Sequence, residues 1–229
     1  MTLASADVIP THDVYAKARF NMVESQIRTN KVTDSKLLAA MSRVPRQIFV
    51  PAGLVGVAYV DKSLRIAPNR YLQEPLVIAR LLQEAVVEPG DKVLVIGAGT
   101  GYSAAILADL AGSVAAVESD PGLADTARSN LAALAVSNAV VHSGPLEQGL
   151  AASGPYDVIL IDGMIADLPK PIADQIADHG RLVTLQAQEG RCGAGMLYRK
   201  LGGSVSGRIL FDATGPSLPG FEPRSAFAL

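Results

Sequence analysis

Val93-Leu94-Val95-Ile96-Gly97-Ala98-Gly99-Thr100-Gly101-Tyr102-Ser103-Ala104-Ala105-Ile106-Leu107-Ala108 reads as a buried strand, a glycine turn and a helix. The unbroken apolar run Val93 to Ile96 suits a parallel strand covered on both faces. Glycines at 97, 99 and 101 permit a tight turn and let a ligand approach bare backbone. Tyr102 to Ala111 is rich in helix formers. A helix opening on such a turn offers free N–H groups to a polar or anionic ligand. Ser113 to Val117 reads as the next strand, and Glu118 ends it. A carboxylate there is placed to accept hydrogen bonds from both hydroxyls of a ribose.

The glycine spacing narrows the ligand. A dinucleotide fold wants G-x-G-x-x-G, and here Tyr102 stands where the third glycine would fall. A phosphate loop would need Gly-Lys-Ser/Thr, which this turn lacks. The G-x-G-x-G pattern, with the acid one strand later, resembles the first motif of class I S-adenosylmethionine (SAM) methyltransferases. That resemblance implies SAM as cofactor, with Gly97, Ala98, Gly99, Thr100, Gly101 and Tyr102 at the methionine side and Glu118 on the ribose. It also implies Ser119 and Leu146 flanking the adenine, with Gly144 and Pro145 at the adenine edge.

Outward from this motif, strand and helix patterns alternate. The spacing predicts helices over Val14–Arg28 (Phe20, Val23 and Ile27 inward), Ser35–Val44 capped by Asp34, and Pro75–Val87. Between the last two, 47–67 reads as loops with short extended pieces. After Glu118 come a helix over 121–135, a strand over 138–142 and a short helix near 146–152. A strand Tyr156–Ile161, a helix Leu168–Asp178 and a strand Gly180–Leu185 follow. Such alternation predicts an α/β, Rossmann-like fold: a mostly parallel seven-stranded sheet with helices on both faces. Gly195–Lys200 and Val205–Phe211, joined at Gly202-Gly203, read as an antiparallel hairpin at one edge. The expected organisation is an arm (1–13), a helical, acceptor-side extension (14–88), a SAM-binding domain (89–212) and a tail (213–229) that lies across the fold.

Composition sets bounds. Apolar residues make up 49% of the chain, enough for a large core without staples. Its one cysteine, Cys192, allows no internal disulfide, and no metal site is expected. A formal net charge of -2 argues against a nucleic-acid partner. No apolar run reaches membrane-span length and no signal peptide is evident, so a cytoplasmic protein is expected.

The flanking stretches make the likeness more specific. Val32-Thr33-Asp34, Val44-Pro45-Arg46-Gln47-Ile48-Phe49-Val50-Pro51, and Ala58-Tyr59 with Asp61 to Ile66 resemble protein-L-isoaspartate O-methyltransferases. So do Leu94 to Ala108, Tyr156 to Leu160 and Gly180 to Val183. The resemblance implies methyl transfer from SAM to isoaspartyl carboxylates of a protein or peptide. Departures accompany it. The family's "GQTIS-P" becomes Asn69-Arg70-Tyr71-Leu72-Gln73-Glu74-Pro75, with Gln73 at the hydroxyl position; its motif glutamate becomes Val95. Its "GDG" becomes Ser143-Gly144-Pro145, and its "T-A" becomes Asp162-Gly163. These differences suggest a divergent member. The acceptor-side candidates are Gln73, which can donate an amide N–H to a carboxylate, and Asp162, at a strand's carboxyl end. A solvated residue before a helix and a turn cap are the plain alternatives for these two. Arg70 reads as a surface arginine, with attraction of an anionic substrate as the alternative. Two other functions stay open: a homologue that binds SAM or its demethylated product without isoaspartyl activity, and a methyltransferase for another protein or small-molecule acceptor.

Overall fold

The computed structural model describes residues 11–190 and 192–222, with backbone alone for 11–13. Most of the expected arm and the terminal Ala226-Phe227-Ala228-Leu229 therefore lie outside the described residues. Helix α1 (Thr11–Asn21) takes up the end of that arm and winds on through a π segment (Met22–Ile27) and a 3-10 turn (Arg28–Asn30). Val23 and Ile27 are buried, but Phe20 is 61% exposed, contrary to expectation. The change from α to π winding at Met22 alters the angular step per residue, so Phe20 leaves the inward face.

Helix α2 (Ser35–Arg43) starts where expected, because Asp34 accepts from the backbone N–H groups of Lys36 (2.9 Å) and Leu37 (3.1 Å). Two 3-10 turns follow, Arg46–Phe49 and Ala52–Val57. Then β1 (Leu64–Ala67) and β2 (Arg70–Leu72) pair as a small antiparallel hairpin, with Asn69 left-handed at φ 55°. Helix α3 (Pro75–Ala85) opens on proline, whose missing N–H costs nothing in a first turn.

The main sheet begins with β3 (Lys92–Ile96), α4 (Tyr102–Ala108), β4 (Ser113–Glu118), α5 (Pro121–Ala133) and β5 (Ala139–Ser143). It continues with β6 (Tyr156–Ile165), α6 (Lys170–Ala173), β7 (Ile176–Gln186), β8 (Ala194–Leu201) and β9 (Ser204–Asp212). The strand order is β5-β4-β3-β6-β7-β8-β9. β5 through β7 are parallel, and β8 and β9 add antiparallel at the edge. The expected fold class is the observed one. Gly202 (φ 55°) and Gly203 (φ 81°) close the edge hairpin as a two-residue turn that favours positive φ at both positions.

Two expectations change. The helix expected over Leu168–Asp178 is only the four residues of α6; Ile176 already pairs with Tyr156 at the start of β7. His179 (φ 62°) and Gly180 then form a bulge, and a Cβ on Gly180 would lie 2.8 Å from the Ala177 carbonyl. Helices also do not cover both faces equally. Val93 and Val95 point into a core with buried residues of α2 to α5, whereas Leu94 and Ile96 point into a second, smaller core. That second core is closed by Leu146, Ile172 of α6, and Leu218 and Phe221 from beyond β9. The segment after Asp212 does lie across the fold: Met164 N–H donates to the Pro216 carbonyl, Leu218 N–H to Met164 and Ala166 N–H to Phe221.

Candidate functional site

Strand order reverses at β3. The chain steps outward through β4 and β5, then returns to place β6 on β3's other side. Open α/β sheets bind ligands beyond the strand ends at such a reversal. Gly97, Gly99 and Gly101 follow β3 at φ 82°, 55° and 99°, a region where side chains are strained. At Gly101 a Cβ would also meet Ala127 at 3.3 Å. Conformation at all three positions, and space at Gly101, favour glycine.

β6 carries a bulge at the same crevice. Its pairing with β7 slips between Leu160 and Met164, which puts Asp162 and Gly163 out of the ladder. Bulges re-aim side chains, and here Asp162 turns inward. One carboxylate oxygen accepts from the Ser103 hydroxyl at 2.5 Å; the other is buried without a partner. Burial pushes the Asp162 carboxyl up to about 6, against the opposing pull of the Ser103 hydrogen bond and of Arg70 and Arg46. Asp162 is therefore neither a helix cap nor a solvent-facing turn residue.

Glu118 is fully buried at the end of β4. It accepts from the backbone N–H groups of Gly99 (2.7 Å) and Asp120 (2.9 Å) and forms an ion pair with Arg70. Arg70 is only 4% exposed, so the surface arginine read from the sequence is instead a buried partner of the key acid. Gln73 is buried as well, not solvated; its side-chain oxygen accepts from Ser63 at 3.4 Å and its backbone carbonyl from Arg46 at 2.5 Å.

The remaining candidates divide. Gly144 lies against β4 through its N–H to the Glu118 carbonyl (3.1 Å), beside exposed Pro145 and buried Leu146; Ser119 is exposed next to Glu118. Ala98 is buried within the turn. Thr100 and Tyr102 do not turn their side chains to the crevice. The Thr100 hydroxyl donates to the Phe49 carbonyl at 2.6 Å, and the Tyr102 ring sits edge-on to Phe49 under the Arg46 guanidinium. They anchor the turn to the N-terminal extension. Arg46 is a residue the sequence reading left without a role; burial lowers its pKa, and it ties Ala58, Gln73 and Tyr102 together.

The residue types fit an adenosyl cofactor: side-chain-free backbone, a buried acceptor one strand away, and Leu146 as an apolar wall. At Gly97 the space they frame is taken up by the chain itself. Leu218 Cδ1 lies 2.9 Å from where a Gly97 Cβ would stand, and Arg70 Nη2 lies 3.5 Å from the same point. The cavity left between β2, Asp162 and Pro216–Leu218 is about 10 Å³, room for about one water.

Comparison with known proteins fixes the family. The model of the family described as protein-L-isoaspartate(D-aspartate) O-methyltransferase matches residues 17–210. The chain belongs to that family. A protein-L-isoaspartate O-methyltransferase of Methanoculleus marisnigri is 40% identical over 171 residues, spanning 75% of this chain and 78% of its own. One from Methanoregula boonei is 41% identical over 165 residues, spanning 72% and 76%. A Plasmodium falciparum structure of the same family name, in complex with S-adenosyl-L-homocysteine (SAH), superposes with a TM-score of 0.74 at 18% identity, over 89% of this chain and 97% of that one. The last likeness shows the shared fold. Identity of 40% across three quarters of the chain makes this an ordinary family member, so the divergent branch expected from Asn69–Pro75, Val95, Ser143–Pro145 and Asp162–Gly163 is set aside. Among the described residues no helix is long and apolar enough to cross a membrane, and no cluster of His, Cys, Asp and Glu could hold a metal.

Proposed function

We propose that this protein transfers a methyl group from SAM to the carboxylate of isoaspartyl residues in proteins or peptides. Family membership supports the reaction. The observation that carries the site is the meeting of three side-chain-free, positive-φ glycines with a fully buried glutamate at the point where strand order reverses.

When bound, SAM supplies a methyl group already activated by its positively charged sulfur. The chain's tasks are then to bind, orient and exclude water. Gly97, Ala98, Gly99, Thr100, Gly101 and Tyr102 would receive the methionine part through the backbone of their turn. Glu118 would accept from the ribose hydroxyls. Ser119 and Leu146 would flank the adenine, with the backbone at Gly144 and Pro145 at its edge. Gln73 and Asp162 face the acceptor side: the Gln73 amide donates to the incoming carboxylate, and Asp162, ionised above about pH 6, offers a negative charge to the cationic sulfur. An isoaspartyl carboxylate with an ordinary pKa of about 4 is ionised at neutral pH and needs no general base. We read the protein as a cytoplasmic repair enzyme; its single cysteine suits a reducing compartment.

The test is incubation with methyl-labelled SAM and two peptides of one sequence, one with isoaspartate and one with aspartate. The expected product is a methyl ester on the isoaspartyl peptide alone, released as labelled methanol by mild base. Base-stable label, or equal labelling of both peptides, would point to another acceptor.

A further inference from the structure

The crevice just assigned to SAM is filled by two parts of the chain far apart in sequence. Leu218 bridges it: its Cδ1 lies 2.9 Å from the Cβ position of Gly97, and its Cβ lies 2.9 Å from that of Gly163. These glycines follow β3 and sit in the β6 bulge, the two sides of the strand reversal. Leu218 is 4% exposed and Phe221 5%. Their segment extends the end of β6, held by Met164 N–H to Pro216 O (3.2 Å), Leu218 N–H to Met164 O (2.8 Å) and Ala166 N–H to Phe221 O (3.0 Å). Beside it Arg70, carried on the β1–β2 hairpin, places its guanidinium on the Glu118 carboxylate. That carboxylate is the acceptor the ribose would need.

We propose that Arg70 and the segment Pro216–Phe221 form a built-in cap on the cofactor site, which SAM must displace to enter. The proposal rests on the SAM reading of this site. The Gly97 backbone that would receive the methionine part is covered by Leu218, and the Glu118 carboxylate that would take the ribose is held by Arg70. Cap and cofactor therefore exclude each other. Arg70 neutralises Glu118 while the site is closed and gives it up to the ribose hydroxyls when the site opens; Leu218 fills the hydrophobic gap between β3 and β6 until the methionine part replaces it. Both are single side chains: one on a two-strand hairpin, the other on a segment joined to the end of β6 by three backbone hydrogen bonds and seated on the second core through Phe221. The measured affinity for cofactor is then the intrinsic affinity reduced by the fraction of molecules that are open. Weakening the cap should tighten binding, the reverse of what loss of a ligand contact does.

Calorimetric titration with SAH of the full chain, and of its Leu218→Gly and Arg70→Gln variants, measures this. The expected result is a dissociation constant about tenfold or more lower for Leu218→Gly than for the unmodified chain, and a decrease in the same direction for Arg70→Gln. Hydrogen exchange on the unmodified chain gives an independent readout: saturating SAH should remove protection from the Leu218 amide and leave β3 and β4 protected. SAH binding with Leu218 protection retained, or variant affinities equal to or weaker than the unmodified chain's, would overturn the cap while leaving the cofactor assignment intact. No SAH binding by any of the three proteins would overturn the cofactor assignment, and the cap with it.

Discussion

Glu118→Ala is expected to lose both stability and cofactor affinity, and the two losses should separate. The substitution removes the partner of a buried guanidinium, since Arg70 and Glu118 are 4% and 0% exposed. Breaking a buried pair from one side costs roughly 3–5 kcal/mol, because the remaining charge stays in a medium that solvates it poorly. The N–H groups of Gly99 and Asp120 lose their acceptor as well. Chemical denaturation should show this loss directly. SAM affinity should fall by about tenfold or more, the worth of roughly 1.4 kcal/mol in a pair of ribose hydrogen bonds. The double variant Arg70→Met/Glu118→Leu distinguishes the two effects. Replacing the whole ion pair by apolar groups of similar size is often neutral for stability, so folding should recover while affinity stays about tenfold below that of Arg70→Met alone. Affinity equal to that of Arg70→Met alone would remove Glu118 from the cofactor site.

Asp162→Asn has the second large effect, and it depends on pH. Burial raises the folded-state carboxyl to about 6 from an ordinary 3.8. A raised carboxyl contributes most to folding when protonated, below about pH 4. That contribution declines as the pH rises through about 6, because the folded protein must then carry the charge inside. Asparagine is neutral throughout and keeps a side-chain oxygen for the Ser103 hydroxyl. Relative to the unmodified protein, the variant should gain roughly 2–3 kcal/mol between pH 4 and pH 7, from about two pK units at 1.36 kcal/mol each. Denaturation curves at several pH values give the difference. A difference that stays constant across this range would mean that Asp162 titrates as an exposed carboxyl.

How much could be read beforehand follows from how local each feature is. The β3–turn–α4 unit, the acid ending β4, the Asp34 cap and the Gly202-Gly203 hairpin were legible because each is specified within about twenty residues, by apolar period, glycine conformation or side-chain capping. The partner of Arg70 was not. It lies 48 residues away, and neither local pattern marks a buried pair. Asn69 after Pro68 was a turn signal that could have revealed the β1–β2 hairpin and so placed Arg70 on it. The bulge at Asp162-Gly163 was not legible because Asp-Gly reads as the end of the strand Tyr156–Ile161, and the pairing that resumes at Met164-Ile165 is too short to mark a strand. Leu218 was least visible: its seat is formed by glycines at 97 and 163, and a leucine in a Pro/Gly-rich tail carries no sign of what it covers. The short coverage of the second face by α6 explains why that tail is needed there.

The most direct test of the cofactor site is a crystal structure of the full chain grown with SAH. The adenosyl group should lie along Gly97–Gly101, its ribose hydroxyls within hydrogen-bond distance of Glu118, with Arg70 and Leu218 moved out of the crevice. SAH bound elsewhere, with the Arg70–Glu118 pair intact and Leu218 still between β3 and β6, would contradict it.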